Sequence, residues 1–279
     1  MKFIVSLAPT RLSHGIASSL NCIDGTDIIF WEPHNKPAMD MFDEVKPNIV
    51  FCYPKDLRSQ EMQIAMSRYP DTGVVCLGDV SEGINAHIAT GASESPQVPS
   101  LGFVDGAMIA QVNRGEYDPK LKSEIMIFTD YMPFDMKRKE LIESLCSSYN
   151  VKIFGSKKVD FVNYLGNVDL PTRSNAMAST DLYVDLGDNT WYDAAIIGSS
   201  VAALSKEAIS GVDTFTDKES MLEVVNAKLS DNDKKSKAKI VKASVRNRTY
   251  FEPISEILSF FGLSEYSEQL KEVKRKIVL

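Results

Sequence analysis

The chain has 279 residues, 44% of them hydrophobic and 25% charged, which suits two globular domains of ordinary size or one large one. A formal net charge of -7 and a pI near 5.1 argue against an extended nucleic-acid coat, because non-specific phosphate binding needs clustered lysine and arginine. Apolar runs such as 125–128 and 195–204 are far shorter than the roughly 20 residues of a membrane span, and Met1-Lys2-Phe3-Ile4-Val5 runs into a strand pattern with no signal sequence, so a cytoplasmic protein without a membrane partner is expected.

Strand-like runs then alternate with helical ones, the pattern of βαβ units and a parallel sheet. The first strand, Lys2 to Leu7, leads into Ala8-Pro9-Thr10-Arg11-Leu12-Ser13-His14-Gly15 and a helix over Ser13 to Leu20 with Ser13 as its cap. Backbone N–H groups at a helix start suit an anion or a sugar hydroxyl. His14 at that tip is a candidate general base, a surface cap histidine being the plainer reading. A second strand, Asp27 to Trp31, runs into Glu32-Pro33-His34-Asn35-Lys36. Either Glu32 or His34 could abstract an acceptor proton, unless the loop is simply a charged turn. A helix over Met39 to Val45, strands Asn48 to Tyr53 and Gly73 to Leu77, a helix over Ser59 to Tyr69 capped by Ser59, and a weaker strand at Leu101 to Val104 complete one Rossmann-like domain. Asp79 follows the fourth strand, and Gly91 to Ser100 reads as a surface loop. Cys22, Cys52, Cys76 and Cys146 lack CxxC spacing, so neither disulfides nor zinc are expected.

Asn113-Arg114-Gly115-Glu116-Tyr117-Asp118-Pro119-Lys120 breaks the pattern as a linker does, and a second series begins. Its predicted strands are Glu124 to Thr129, Val151 to Phe154, Tyr164 to Val168, Leu182 to Leu186, Val201 to Leu204 and Thr214 to Phe215. Helices are predicted near Phe134 to Ser147, Arg173 to Ala178, Tyr192 to Ile197 and Lys218 to Lys228, then near Asp231 to Asn247, Pro253 to Phe261 and Ser267 to Val278. The reading is therefore α/β, with two Rossmann-like domains, 1–120 and 121–250, and C-terminal helices over 251–279 that fold back across the first.

Ligands in open α/β sheets bind beyond the carboxyl ends of strands, so loops after strands are the informative ones. GxGxxG, GxxxxGK[ST], GxSxG and HExxH are all missing from the sequence. Lys137, Arg138 and Lys139 open a helix after Asp130-Tyr131-Met132-Pro133-Phe134-Asp135, where a cation could meet a diphosphate, though a solvated first turn has the same look. Arg173 is a further cation at a strand end, suited to a bidentate phosphate contact. The segment from Leu182 to Leu204 reads strand, polar loop with Asp188 and Asn189, helix with Tyr192 and Asp193 in its first turn, Gly198 as stop, then strand. Asp193 could accept hydrogen bonds from a ribose diol or merely complement the helix dipole.

Residues from about 124 to 262 resemble the donor domain of GT-B glycosyltransferases, particularly the spore-maturation CgeB-like and group-one types. Tyr192-Asp193, Gly198, Val201 to Leu204, Phe215-Thr216-Asp217-Lys218-Glu219 and Arg248-Thr249-Tyr250-Phe251 stand in that family's order. The chain departs from it in having Asp193 where Glu is usual, and Thr190 and Trp191 where an arginine often precedes it. The resemblance implies two domains closing across a cleft, 1–120 for the acceptor and 121–250 for a nucleotide-sugar donor, expected to be UDP-linked, and metal-independent transfer with no separate cofactor. It further implies a donor site drawn from Asp130, Tyr131, Lys137, Arg173, Asp188, Asn189, Tyr192 and Asp193, with Lys206 as another diphosphate candidate and a base among His14, Glu32 and His34.

The compact length and the Lys-, Asn-, Asp- and Met-rich style are similar to proteins of large T-even-type phages, some of which carry compact GT-B enzymes that glycosylate 5-hydroxymethylcytosine. That likeness implies double-stranded DNA as acceptor in a host cytoplasm. The basic residues for it would be Lys234, Lys235, Lys237, Lys239, Lys242, Arg246 and Arg248, or Lys271, Lys274, Arg275 and Lys276, unless these are solvated helix faces. A glycan or small-molecule acceptor, or a non-catalytic nucleotide or sugar-phosphate binding protein, are the alternatives.

Overall fold

The structure, a computed structural model, describes residues 1–6, 10–102, 106–108, 115–206, 209 and 211–278, with the backbone alone at 234, 277 and 278. Its elements in chain order are β1 (Lys2–Ser6), α1 (Arg11–Leu20), β2 (Asp27–Trp31), α2 (Ala38–Val45), β3 (Ile49–Cys52), α3 (Pro54–Leu57), α4 (Gln60–Arg68), β4 (Gly73–Cys76) and β5 (Ile88–Ala89). There follow β6 (Ser123–Phe128), α5 (Met136–Ser148), β7 (Val151–Phe154), α6 (Leu170–Ser179), β8 (Thr180–Asp185), α7 (Trp191–Ile197), β9 (Val201–Leu204), β10 (Asp213–Phe215), α8 (Lys218–Ser230), α9 (Lys234–Val245), α10 (Phe251–Phe260) and α11 (Ser264–Val278). Among the described residues no helix is long and apolar enough to cross a membrane.

The chain forms two compact units, Met1–Val104 with Tyr250–Leu279, and Asp105–Thr249. Each holds a five-stranded sheet whose strands pair in parallel, in the orders β2-β1-β3-β4-β5 and β10-β9-β8-β6-β7. Counted within its own unit, the second order is the first read from the other edge, so both are the doubly wound 2-1-3-4-5 arrangement. Such a sheet reverses direction between its first and third strands and opens a crevice at their carboxyl ends. That fixes two places to look: beyond β1 and β3 in the first unit, and beyond β6 and β8 in the second.

Strand composition follows from the layering. β3 and β4 are buried along their whole length, as continuous apolar runs must be when helices cover both faces. α2 buries Ala38, Met41, Phe42 and Val45, one face at helical spacing, into a core with Ile4, Val50 and Val74. In the second unit Leu141, Ile142 and Leu145 of α5 pack with Ile125, Ile127, Val184 and Phe215.

One boundary differs from the sequence reading. The second unit starts at Asp105, before the polar break, because Ala107 bridges Thr249 and Asp118 N–H bonds Ser179 Oγ at 2.7 Å. Residues 250–279 group with the first unit. There Gly15 of α1 meets Tyr250 so closely that a Cβ on Gly15 would lie 2.5 Å from the ring. Gly15→Val is therefore expected to cost about 1–3 kcal/mol by overpacking; an unchanged melting temperature would refute this contact.

Among single elements, α1 is capped by Thr10, whose side chain accepts Ser13 N–H, so Ser13 lies inside the helix and not at its start. The expected strand at Tyr164 to Val168 reduces to one bridge, Ile153 to Tyr164, since Gly166 and Asn167 bring turn chemistry into it. Leu101 and Gly102 are irregular, residues 103–104 lie outside the described residues, and the fifth strand is the two-residue β5. Leu7 to Pro9 and Asn113-Arg114 also lie outside them.

Helix starts in the second unit carry carboxylate caps. Asp135, Asp169 and Asp217 accept the N–H of Arg138, Thr172 and Ser220, and these bonds, preceded at Asp169 by the Thr172 hydroxyl, hold all three carboxyls below the usual aspartate value. Because the folded pKa is the lower one, their stabilisation is complete above about pH 4 and fades as pH falls through the folded value. Asp217→Asn, which caps without titrating, should flatten part of the fall in melting temperature between pH 5 and 3; an identical fall in both proteins would count against the cap.

Candidate functional site

In the second unit, Thr129 and Asp130 follow β6, and Gly155 and Ser156 follow β7. These loops approach so closely that a Cβ on Gly155, at φ +145, would stand 2.5 Å from Thr129 Oγ1. Asp130 Oδ1 accepts Ser156 N–H at 2.8 Å, and Oδ2 accepts Arg173 Nη1 at 2.6 Å. Arg173 reaches in from α6 over the Phe128 ring, 4.2 Å from its centroid, a cation–π contact. Phe128 is stacked between Phe154 and Tyr183. The Asp130 and Arg173 side chains are 11% and 12% exposed. Burial opposes the arginine's charge, but Asp130 and Asp193 outweigh it and move its pKa up. Its Nη2 is buried with no hydrogen-bond partner among the described residues, and a buried donor of that kind calls for an explanation.

Beyond β8 the chain turns around Asp185. Its Oδ1 accepts Gly187 N–H at 2.6 Å and Asp188 N–H at 3.2 Å, and its Oδ2 accepts Trp191 N–H at 2.9 Å and Thr190 Oγ1 at 3.3 Å. Thr190 Oγ1 also donates to Asp188 Oδ1 at 2.6 Å and lies 2.6 Å from the Tyr183 hydroxyl. Burial, then Asp188 and Asp185, push the Tyr183 phenol well above its ordinary pKa, so it stays neutral. This buried net leaves Gly187 and Asn189 exposed at the rim, Asn189 in the left-handed region at φ 62. Arg138 ties α5 to the same turn through Nε to Leu186 O at 2.7 Å and pairs with Asp135.

The residues picked out from the sequence fall into groups. Asp130 and Arg173 form one pair, and Asp188 belongs to the Asp185–Thr190 net. Asp193 is fully buried and accepts Met108 N–H at 2.8 Å, so it faces the interior and not the rim. Tyr192 is 6% exposed and stacks on Trp191 at 3.8 Å. Tyr131 is half-buried, and Lys206 is exposed. Lys137 is exposed and donates to Thr216 O at 2.7 Å.

In the first unit, His14 on α1 is half-buried, edge-on to Phe30 with centroids 6.3 Å apart. Glu32 and His34 follow β2, with His34 Nε2 3.8 Å from Glu32 Oε2 and the imidazole 77% exposed. The crevice beyond β1 and β3 holds a group the sequence reading did not select. Ser6 Oγ donates to Asp56 Oδ2 at 2.8 Å, and the Tyr53 hydroxyl sits 2.8 Å from Ser13 Oγ and bonds Thr10. Its only sequence signal is an acid, Asp56, just past a strand.

No protein-family model matches the chain, and no curated protein matches it in sequence. Its fold does match solved structures. A UDP complex of MnaA from S. aureus aligns at TM-score 0.58 and 11% identity, over 94% of this chain and 96% of that one. A UDP-N-acetylglucosamine 2-epimerase aligns at 0.55 and 13%, over 97% and 94%, and the glycosyltransferase VinC in complex with dTDP at 0.53 and 8%, over 94% and 100%. The fold is thus of the GT-B type: two Rossmann-like α/β units with C-terminal helices.

Proposed function

We propose that the chain is a sugar-nucleotide enzyme that transfers a glycosyl group to a hydroxyl acceptor, holding the donor at the carboxyl edge of the second unit's sheet. The observation that carries this reading is the buried Arg173 guanidinium at the switch point, anchored by Asp130 and with Nη2 left over. A fixed arginine fork matches phosphate oxygens, and it would neutralise the diphosphate that leaves as the glycosidic bond forms. Gly187, Asp188 and Asn189 would meet the nucleoside, with Asp193 supporting Arg173 electrostatically from behind. Tyr131, Lys137 and Tyr192 remain donor-side candidates. UDP and dTDP in the complexes of similar fold make uridine and thymidine diphosphate sugars the first donors to try.

For the base we propose Glu32 with His34, or His14. Removing the true base should lower kcat by about 10²–10⁴ with little change in KM; a variant that raises KM alone would be a binding residue. The acceptor proposed first is hydroxymethylcytosine in duplex DNA. Of the cations put forward for it, Lys271 and Lys274 are paired with Glu268 and Glu252, and Lys237 with Asp231, which leaves Lys235, Lys239, Lys242, Arg246, Arg248, Arg275 and Lys276 among the described side chains.

The epimerase likeness favours a second reading, rearrangement of the sugar while it stays on its nucleotide. The experiment is incubation with UDP-, dTDP-, GDP-, ADP- and CMP-linked sugars, following nucleoside diphosphate release and sugar configuration with and without hydroxymethylated DNA. Acceptor-dependent release supports transfer, and a new epimer without acceptor supports the second reading. Binding with neither makes the chain a non-catalytic sensor, and no binding at all removes the proposal.

A further inference from the structure

A cavity of roughly 490 Å3 opens on the second unit, lined by Tyr117, Lys122, Thr180, Gly198, Ser200 and Lys235 among others. Lys122 precedes β6, Thr180 begins β8 and Ser200 precedes β9. The cavity therefore lies at the amino edge of the sheet, one strand length, about 20 Å, from Asp130 and Asp185 at the other edge.

Ser200 lines the cavity and is 9% exposed, and its hydroxyl, which is not sealed from solvent, makes no hydrogen bond among the described residues. Lys122 and Lys235 both line the cavity, are exposed and form no ion pair among the described residues. Lys242 adds a third cation: its Cδ lies 3.9 Å from where a Cβ on Gly198 would stand. Asp181 also lines the cavity and sets a limit on how much negative charge fits. Tyr117, 62% exposed, supplies an aromatic face. Unneutralised lysines around a cavity of ligand size, in a chain of net charge -7, point to an anion as the missing partner.

We propose that this cavity is a second ligand site, for a small phosphorylated molecule carrying a planar ring, of the nucleoside monophosphate class. The phosphate is held by Lys122 and Lys235 with the Ser200 hydroxyl donating to it, and the ring lies against Tyr117. The site is separate from the carboxyl-edge site and does not depend on the function assigned there.

The test is calorimetric titration of the full chain with adenosine and uridine monophosphates and with pyrophosphate. It is done on the wild type and on Asp130→Leu/Arg173→Met, which disables the other edge. Saturable nucleotide binding that persists in that double variant, falls at least tenfold in Lys122→Glu/Lys235→Glu and falls several-fold in Ser200→Ala is the expected result. Circular dichroism checks that each variant is folded. Binding that survives the lysine reversal, or vanishes with Asp130 and Arg173, overturns the proposal, as does the absence of saturation at millimolar ligand. A short DNA strand binding tenfold or more tightly than the mononucleotides, and dependent on Lys239 of α9 and Arg246 just past its end, would also overturn it, by making the occupant a nucleic acid.

Discussion

Replacing Arg173 with alanine is expected to destabilise the second unit by about 3–5 kcal/mol and to abolish nucleotide binding. Asp130, 11% exposed in the intact pair, would keep a charge met among the described residues by Ser156 N–H alone, and Phe128 would lose its cation. For a unit of this size the melting temperature should fall on the order of 10 °C. Stability and function separate in the double variant Asp130→Leu/Arg173→Met. Apolar replacement of a whole buried pair is often neutral or stabilising, so this protein should melt near the wild type while binding no UDP or dTDP. Arg173→Lys keeps the charge and loses the fork, and an affinity reduced at least tenfold is expected from it. Calorimetry on the three proteins decides the matter: wild-type affinity in the double variant would end the phosphate assignment.

Asp185→Ala should be nearly as damaging, by a different route. The carboxylate gathers the N–H groups of Gly187, Asp188 and Trp191 and the Thr190 hydroxyl, and alanine takes the acceptor from the three N–H groups, while the Thr190 hydroxyl keeps Asp188 Oδ1. Each buried donor so orphaned costs about 1–3 kcal/mol, and water entering the turn recovers part of it, so a net loss of about 3 kcal/mol is expected. Asp185→Asn keeps the shape but presents an amide that accepts at one atom only, and it should fall between. The direct readout is amide hydrogen exchange. Gly187, Asp188 and Trp191 should lose protection while Ile125 and Ile127 in β6 keep theirs; unchanged protection in the turn would show that Asp185 does not organise it.

The sheets were legible because their strands are long apolar runs separated by helices of clear period: Asp27–Trp31, Val151–Phe154 and Val201–Leu204 stand where the pattern put them. β5 was not, since two residues carry no period, and neither was the loss of Tyr164 to Val168, which depended on the turn around Gly166. Strand-end positions singled out Asp130 and Arg173. Their pairing across 43 residues was beyond a reading of local pattern. Asp193 shows the same limit more sharply. An acid in the first turn of a helix looks like a solvent-facing group, but its partner, Met108 N–H, comes from 85 residues earlier. Asp56 and Asp185 were passed over because nothing local distinguishes an acid that organises a turn from one that decorates it.

The grouping of Tyr250–Leu279 with Met1–Val104 bears on how the molecule is made. On the ribosome, the first unit's sheet emerges early but must wait for about 145 further residues, which at 5–20 residues per second takes on the order of ten seconds, before Tyr250 can seat against Gly15 and α10 can dock. The interposed unit is contiguous and can finish first. A chain truncated after Thr249 should therefore already protect Ile125 and Val184 from proteolysis while Ile16 and Phe3 remain cleavable, so the earlier-made unit is the later to mature.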